Sequence, residues 1–489
     1  MESRQEKIAE VESERKDRHS GDEAGGYSGQ THELSAIVSR ARQSRWPAVP
    51  MEEAYKSIEA VLKEIDPCFK YEPVVALQPG QILAEKITAP ADVPTCCKSI
   101  KDGYAVLFAD GAGDREVIGS STAGAPFTGS MTNGQCVRVS TGAVVPDCAD
   151  AVVQVEDTEI VKHDNKEELV IKIKKAPSRI GQDIRKPGDD MRKGDLLFDV
   201  GCILSAGEIG VINEIGLKAV AVYRRPKVCV MSTGNELVES MAEEIPPGCI
   251  RDSNRPQLLA LFKSLGFKPI DAGIAPDRRS DLVVAIKNAF GYASVLVTSG
   301  GVSMGEHDLL KDVLENDLGL KIHFGRVWMK PGMPATFATG VIGAELRCVF
   351  ALPGNPVSSW ACAHLFAAPL LRHLAGHLKI YNSRIYVKLA DGVKLGERPE
   401  YKRAWLQMPD RMTGEMQDEF WKTRQETGQL QKKEQFELLP IAHITGGQLS
   451  SRLASTIGAN VLLELPQKSD GLAQLERGEI VQAFVIAPI

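Results

Sequence analysis

The sequence lacks several features that mark specialised classes of protein. None of its ten cysteines forms a C-x-x-C pair, and the histidines do not fall at zinc-ligand spacings relative to them. No apolar run approaches the length of a membrane span. The formal net charge of −6 is opposite to that of a protein with a basic nucleic-acid-binding or membrane-binding face. We therefore expect a cytoplasmic protein with reduced thiols, no nucleic-acid partner and no membrane insertion.

The length and the changes of pattern along the chain predict several domains. A chain of 489 residues exceeds the size at which one hydrophobic core usually keeps growing. The charged start has few large apolar residues, which predicts a disordered tail. We expect five segments: the tail at 1–45, a helical linker subdomain at 46–89 plus 178–225, an antiparallel β insertion at 90–177, an α/β domain at 226–378 and a β-barrel-like domain at 379–489.

The fold class is therefore predicted as multidomain α/β, with its most regular part after Pro226. Apolar segments of strand length alternate there with segments of helical periodicity, which indicates a parallel sheet. Ligands of such sheets bind beyond the carboxyl ends of the strands. Three loops follow predicted strands and are expected to emerge at that edge: STGNE at 232–236, TSGGVSMGEHD at 298–308 and LPGNP at 352–356.

The TSGG loop has the chemistry of an anion site. Ser299 leads into Gly300 and Gly301, whose backbone amides can turn outward because no Cβ obstructs them. Glu306 and Asp308 follow and offer carboxylate oxygens that suit a hard cation. The alternative is a tight connection from a strand to a helix, with acids that are simply solvated.

Carboxylates and basic side chains recur in the other loops. If Glu236, Asp277 and Asp308 are close together, Mg²⁺ is the expected neutralising ion, because oxygen ligands and a phosphate partner suit it. Each acid taken alone is as well explained as a helix cap or turn residue. Arginine and lysine side chains suit oxyanions, and the candidates are Arg251, Arg255, Arg326, Lys330 and Arg403. Arg251 could instead close its loop, and Arg403 could be a surface charge.

A family resemblance is carried by motifs that appear in a fixed order. They are KDGYA at 101–105, STGA at 140–143, STGNEL at 232–237, IRDSNRP at 250–256, TSGGVSMGEHD at 298–308, MKPGMP at 329–334 and LPGNP at 352–356. From about Pro47 onward the sequence resembles the molybdenum insertase (molybdopterin molybdenumtransferase) family, and within it the gephyrin E domains of animals.

The resemblance implies an activity and an assembly. It implies a homodimer formed through the subdomain at 46–89 plus 178–225. It also implies the last step of molybdenum cofactor synthesis, in which molybdate is placed on adenylylated molybdopterin and AMP leaves in a Mg²⁺-dependent reaction. A molybdopterin adenylyltransferase must supply the substrate, either as another polypeptide or as part of a longer chain.

The resemblance also implies site residues by motif position. The implied catalytic residues are Asp102, Thr141, Glu236, Asp277 and Asp308, of which Glu236, Asp277 and Asp308 would hold Mg²⁺ or the attacking water. Asp102 and Thr141 would reach the cleft from the partner protomer. The implied substrate-binding residues are Ser299, Gly300, Gly301, Ser303, Arg251, Lys330, Pro353, Gly354, Pro356, Ser358, Arg403 and Ser450. Among these, Lys330, Ser358, Arg403 and Ser450 match positions that hold molybdate.

Some positions depart from the family pattern. Met333 stands where bacterial and plant members have a lysine, which removes a cation from the oxyanion pocket. The alternative function is a gephyrin-like scaffold that binds inhibitory receptor peptide loops, with a receptor or cytoskeletal partner. Its groove would use Glu52, Tyr55, Pro466 and Leu472, although Leu472 replaces a tyrosine of the animal members and would weaken peptide affinity by about 1–2 kcal/mol. A third hypothesis is a degenerate insertase that still dimerises but has lost catalysis. The retained acidic residues argue against it.

The enzymatic and scaffolding functions make opposite predictions for two substitutions. We expect Asp102→Ala and Asp308→Ala to abolish cofactor formation, because both carboxylates belong to the implied catalytic set. Complementation of a cell that lacks its own insertase measures this effect. Full complementation by both variants would instead leave scaffolding as the function.

Overall fold

The computed structural model describes residues 45–302, 309–409 and 439–488. All of the regular structure below belongs to the compact unit Trp46–Ile489. Predicted site residues Ser303 and Asp308, and Glu306 beside them, lie outside the described residues. In the described ranges no helix is long and apolar enough to cross a membrane.

The first part of the chain contributes a helix and small two-stranded sheets. The helix Met51–Leu62 buries Ala54, Ile58, Val61 and Leu62 at the predicted helical spacing. The helix Ala206–Glu214 begins at a capping box, in which Ser205 and Glu208 satisfy each other's backbone amides. Antiparallel pairs join Phe69–Pro73 to Ala219–Tyr223, Ile87–Thr88 to Leu196–Phe198 and Lys98–Ser99 to Ile184–Arg185. The first two pairs join segments on either side of the predicted insertion, and the third joins the insertion to the segment that follows it.

The predicted insertion forms a six-stranded sheet. Its spatial order is Ala151–Gln154, Gly103–Val106, Gln135–Val139, Gly113–Ser121, Glu168–Ile173 and Thr158–His163. The expectation of a purely antiparallel module is wrong at one place, because Gly113–Ser121 and Gln135–Val139 run parallel. Strand direction depends on the route of the connecting chain, which alternating β-branched residues do not encode.

The central sheet has six strands, and four adjacent strands of the six run parallel to one another. Its order is Lys268–Ala275, Lys227–Thr233, Val295–Ser299, Glu345–Leu352, Thr336–Ile342 and Lys321–Phe324. The first four pair in parallel, and the last two add an antiparallel edge. The strand Val295–Ser299 is buried along its whole length, as an apolar run between two parallel neighbours requires. The predicted parallel sheet is confirmed for these four strands.

Helices cover the central sheet. They are Asn254–Ser264, Arg279–Phe290, Leu309–Asp312, Pro356–Cys362 and Ala368–Leu374, with π-helical turns at Val313–Asp317 and Ala363–Ala367. One hydrophobic cluster joins the helix Met51–Leu62 to Asn254–Ser264 and Pro356–Cys362, and a second lies under Arg279–Phe290. The sheet is thus packed by separate hydrophobic clusters, as expected of an α/β layer fold.

The last part of the chain forms a closed five-stranded barrel. Its strands, in spatial order, are Arg384–Leu389, Ile441–Ile444, Glu400–Gln407, Val461–Leu465 and Ile480–Val485. Alternate residues of these strands fill the interior, including Val387, Leu389, Ala404, Val461 and Leu463. The predicted multidomain α/β class with a β-barrel-like end is confirmed, whereas the exact division into segments stays a prediction.

We expect Phe337→Ala to destabilise the central sheet. Its ring is fully buried and stacks on Phe350, with centroids 4.6 Å apart at 17°. Truncation of such a ring costs about 3–5 kcal/mol because it removes buried contacts and leaves a cavity. Urea denaturation followed by circular dichroism should show a clearly lower midpoint. The control is Val341→Ala on the same strand, where the side chain is 70% exposed and the midpoint should hardly move.

Candidate functional site

Three loops meet at the carboxyl edge of the central sheet. They follow Lys227–Thr233, Val295–Ser299 and Glu345–Leu352, which are parallel neighbours in register. At Gly300 the backbone has φ +94°, and a Cβ there would stand 2.2 Å from the carbonyl oxygen of Thr233. At Gly301, with φ +68°, a Cβ would stand 2.7 Å from Thr233 Oγ1. Only glycine permits this approach of the first two loops.

The second and third loops are joined by hydrogen bonds. The Gly300 amide donates to Leu352 O at 3.0 Å, and Ser299 Oγ donates to Pro353 O at 3.3 Å. Asn254 Nδ2 donates both to Ser299 Oγ at 2.8 Å and to Gly354 O at 2.7 Å. The predicted residues Ser299, Gly300, Pro353 and Gly354 are therefore brought together. The expectation that the Gly300 amide turns outward to an anion is wrong, because this amide bonds Leu352 O. Asn254 was missed as a functional residue, although its motif IRDSNRP was recognised.

Glu236 and Asp277 form an acidic pair beside this edge. The Asp277 amide donates to Asn235 Oδ1 at 3.1 Å, so the loops after neighbouring strands are tied together. Burial and the charge of Glu236 raise the pKa of Asp277 above its ordinary value. The Glu236 carboxylate lies over Gly234, where a Cβ would come within 2.5 Å of Glu236 Oε2. Two of the three predicted metal-binding acids are thus neighbours.

The oxygen atoms at this edge fit a hard divalent cation. Thr233 Oγ1 is buried and makes no hydrogen bond within the part of the chain that the structure describes. The two carboxylates repel each other, so a bound cation would relieve the cost of keeping both ionised. Among the described residues no group of three metal-ligating side chains occurs, and the third predicted acid, Asp308, lies outside them. Two neighbouring carboxylates are oxygen donors of the kind that hard divalent cations use.

A cavity of about 610 Å³ opens beside the helix Pro356–Cys362, between the central sheet and the barrel, and we call it the barrel cavity. Predicted residues Lys330, Ser358 and Ser450 line it. Asn355 Nδ2 donates to Ser450 Oγ at 3.0 Å, and the Val357 amide donates to Ser450 O at 3.1 Å. The start of the helix is thereby fixed against the loop that carries Ser450.

The charges in the barrel cavity suit a doubly charged anion. Its ionisable lining residues are the cations Lys330, Arg398 and Lys402 and the buried acid Glu400. Glu400 pairs with Lys330 at 3.0 Å and with Lys402 at 3.6 Å. Three cations and one carboxylate leave two positive charges facing the cavity. Arg398 and Lys402 were not predicted, because charged residues on a barrel strand and loop carry no motif.

Met333 is part of this arrangement. Its Sδ lies 3.0 Å from Arg398 Nη1 and 3.7 Å from Arg326 Nη2. The sequence predicted that Met333 would remove a cation from the oxyanion pocket. Arg398 supplies a cation next to the same position, so the pocket is not depleted of positive charge.

Arg403 and Arg251 do not face these cavities. Arg403 is 1% exposed and does not line the barrel cavity. Its Nη2 donates to Ser455 Oγ at 2.8 Å. Burial lowers the pKa of Arg403 to about 10, which still leaves it charged at neutral pH. The alternative of Arg403 as a surface charge is therefore wrong. Arg251 is exposed and donates to Ala242 O at 2.9 Å, as the alternative of a loop-closing residue describes.

Arg255, another arginine of the predicted basic set, is occupied elsewhere. It is buried and pairs with Asp252 at 2.9 Å and with Asp271 and Glu239. Desolvation of this guanidinium is offset by three carboxylates, so it stabilises the loop before Asn254–Ser264 and does not serve an anion. Its position in the IRDSNRP motif gave no sign of these distant partners.

Asp102 and Thr141 are in contact on the insertion sheet. The Thr141 amide donates to Asp102 Oδ1 at 2.9 Å, and its hydroxyl donates to Oδ2 at 3.0 Å. These bonds hold the pKa of Asp102 below its ordinary value, so the carboxylate is ionised at neutral pH. The two residues belong to a different sheet from Glu236 and Asp277. Their arrival from a partner protomer stays a prediction.

The predicted groove residues are divided between two parts of the fold. Glu52 is exposed and pairs with Lys56 at 2.8 Å within the first helix. Tyr55 packs against Tyr381, with ring centroids 5.0 Å apart. Leu472 packs on the barrel core, and Pro466 is exposed at its end. Tyr55 is thus used in internal packing, and a peptide groove stays a prediction.

Comparison with known proteins agrees with this geometry. Residues 49–216 match the family model described as MoeA N-terminal region (domain I and II), and residues 229–373 match a probable molybdopterin binding domain. A crystal structure of molybdopterin biosynthesis MoeA protein from Pyrococcus horikosii superposes with a TM-score of 0.70 at 29% identity, over 91% of this chain and all of that chain. The fold and the loop edge therefore define a molybdopterin-binding protein of the MoeA type.

Individual relatives narrow the assignment. The chain is 36% identical to molybdopterin molybdenumtransferase of Haemophilus influenzae, over 61% of this chain and 71% of that protein. It is 32% identical to molybdenum cofactor synthesis protein cinnamon of Drosophila melanogaster, over 93% of this chain and 68% of that protein. With gephyrin of Dictyostelium discoideum it shares 33% identity over 92% of its length but spans only 64% of that relative. The chain belongs to the molybdopterin molybdenumtransferase family, and the predicted membership of the molybdenum insertases is confirmed.

The acidic pair predicts a pH-dependent gain in stability from Glu236→Gln. The substitution removes the charge that raises the pKa of Asp277, so repulsion is relieved wherever both carboxylates are ionised. The thermal unfolding temperature should rise at neutral pH without added Mg²⁺. The gain should disappear as the pH falls through the raised pKa of Asp277, because the neutral acid is no longer repelled.

The control for this prediction is Glu244→Gln. Glu244 is exposed and lies on the same connection, before Ile250–Arg251, so the variant loses the same formal charge outside the acidic pair. An equal pH-dependent gain in both variants would show that net charge, and not the neighbourhood of Asp277, causes the effect.

Proposed function

We propose that this protein inserts molybdenum into adenylylated molybdopterin and releases AMP, in a Mg²⁺-dependent reaction. The observation that carries the proposal is the meeting of two sites at one end of the fold. The glycine loops with the acidic pair lie at the carboxyl edge of the sheet, and the barrel cavity opens next to the loop residue Asn355. A substrate with both a phosphate and a metal-accepting group needs two such neighbouring sites.

The loop edge suits the nucleotide and pterin part of the substrate. Gly301 and Gly354 are at least partly exposed and carry no side chain, so a ligand can approach the backbone closely there. Glu236 and Asp277 would hold the divalent ion, which supplies charge neutralisation and polarisation at the phosphate when it is bound.

The barrel cavity suits molybdate as the second substrate. Lys330, Lys402 and Arg398 can donate charge-assisted hydrogen bonds to a tetrahedral dianion, and the Ser358 and Ser450 hydroxyls can add neutral donors. Glu400 holds two of the lysines in place through its ion pairs. Two net positive charges match the dianion without attracting larger polyanions strongly.

The assembly and the location belong to the same proposal. A homodimer would bring Asp102 and Thr141 of one protomer to the loop edge of the other, and their mutual hydrogen bonds keep the Asp102 carboxylate ionised for that role. An adenylyltransferase, on another polypeptide or on a longer form of this chain, would supply the substrate. All ten cysteines are free thiols, which fits the cytoplasm.

Reconstitution with purified components tests the proposal. AMP release from adenylylated molybdopterin should require molybdate and Mg²⁺, and Asp277→Asn should lower its rate by about 100-fold or more because a carboxylate next to the phosphate is lost. Lys330→Gln with Lys402→Gln should raise the molybdate concentration that gives half-maximal release. Lys172→Gln with Lys394→Gln is the matched control, since both lysines are exposed on strands outside the barrel cavity. AMP release that is absent, or equal without the metal, would refute the proposal.

A further inference from the structure

Another cavity lies at the opposite edge of the central sheet from the loop edge. It has a volume of about 580 Å³, within the range of small-molecule sites, and we call it the amino-edge cavity. Lys227 and Lys268 are the first residues of their strands, and Ser294 directly precedes Val295–Ser299. All three line it. Because these strands are parallel, the cavity is roughly 20 Å from the loop edge, at about 3.3 Å per residue of a seven-residue strand.

The lining is strongly basic in a chain that is acidic as a whole. Six of its residues are cations, namely Lys70, Arg224, Arg225, Lys227, Lys268 and Arg347, and its one acid is Glu345. Glu345 pairs with Arg347 at 2.8 Å, and Glu72 pairs with Lys70. The other four cations make no ion pair within the ranges that the structure describes. Positive potential is therefore concentrated here despite the net charge of −6.

Two lysines of the amino-edge cavity, Lys227 and Lys268, lie side by side, so their positive charges are close together. Lys227 and Lys268 are paired directly across neighbouring parallel strands, and both are exposed. Adjacent strands are about 4.8 Å apart, so two like charges at matched positions repel each other. A bound polyanion would remove that repulsion and gain two point charges.

The arginines are held in position without losing their charge. Arg224 Nε donates to Phe69 O at 3.3 Å, and Arg225 Nη2 donates to Pro79 O at 3.1 Å. Each guanidinium retains further N–H groups that can donate to phosphate oxygens. The helix Arg279–Phe290 ends at this cavity, but the amides of Gly291, Tyr292 and Ala293 already bond its last carbonyls, which limits its negative contribution.

An aromatic ring stands beside the cations. Tyr292 lines the cavity and is 65% exposed, so its ring is free to stack on a flat ligand group. Phe290 lies beneath Arg347, whose guanidinium carbon is 5.6 Å from the ring centroid. Several unpaired cations and an exposed aromatic ring are the complement of a polyphosphate joined to a base.

We propose that the amino-edge cavity is a binding site for a nucleoside polyphosphate, separate from the site of molybdenum insertion. Lys227, Lys268, Arg224 and Arg225 hold the phosphates, and Tyr292 stacks on the base. The cavity shares none of its lining residues with the barrel cavity. The proposal therefore does not depend on the insertase activity.

Calorimetric titration of the full chain with ATP, in EDTA and at low ionic strength, tests the proposal. Wild-type protein should bind ATP, with an affinity that falls as salt is added. Lys227→Gln with Lys268→Gln should weaken binding by about tenfold or more. Lys172→Gln with Lys394→Gln loses the same charge elsewhere and should bind as the wild type does. Circular dichroism of each variant checks that the fold is retained.

Two further sets of titrations identify the class of ligand and the cavity in which it binds. Tripolyphosphate should bind more weakly than ATP, and Tyr292→Ala should remove that difference. Equal binding of the two by wild-type protein would overturn the nucleoside part of the proposal. Absence of ATP binding would overturn the whole proposal. So would ATP binding that Lys227→Gln with Lys268→Gln leaves unchanged, because it would place ATP at the loop edge or, if Lys330→Gln with Lys402→Gln abolishes it, in the barrel cavity.

Discussion

The approach of Gly300 and Gly301 to Thr233 is the constraint on which the proposed site depends. A Cβ at Gly300 would stand 2.2 Å from a backbone oxygen, so the loop after Val295–Ser299 can lie against the loop after Lys227–Thr233 only with glycine there. That contact fixes the distance between the TSGG backbone and the strand that leads to Glu236. The hydrogen bonds of Asn254 then draw in the third loop at Gly354. Because these loops pack against one another through their backbones, the loop edge offers few side chains to a ligand.

Charge is distributed unevenly over this frame. The loop edge carries an acidic pair that a cation would relieve, and the barrel cavity carries two net positive charges. The amino-edge cavity carries four cations that make no ion pair with any residue the structure describes. The net charge of −6 for the whole chain gives no sign of these three local charge distributions. Local electrostatics therefore determines which ligand each cavity suits, and the totals for the chain only exclude partners that need a uniformly basic face.

The sequence predicted the site best where the candidate residues directly follow the ends of predicted strands. Alternation of apolar segments and helices predicted a parallel sheet and three of its four parallel strands, but not Lys268–Ala275. Parallel strands necessarily bring STGNE, TSGG and LPGNP to one edge. Asp102 and Thr141 are in contact, but the catalytic roles that the family motifs imply for them stay a prediction. Arg255 and Arg403 could not be placed in this way, because burial by Asp271 or Ser455 depends on partners distant in sequence. The amino-edge cavity was missed for the same reason, since its lysines come from separate strand starts.

The most direct measurement of the central claim is a crystal structure of the protein with adenylylated molybdopterin bound. We predict that the phosphate and pterin lie along the loop edge, in contact with Gly301 and Gly354, and that Glu236 or Asp277 would hold a divalent ion beside them. Substrate bound elsewhere, with the loop edge vacant, would contradict the account.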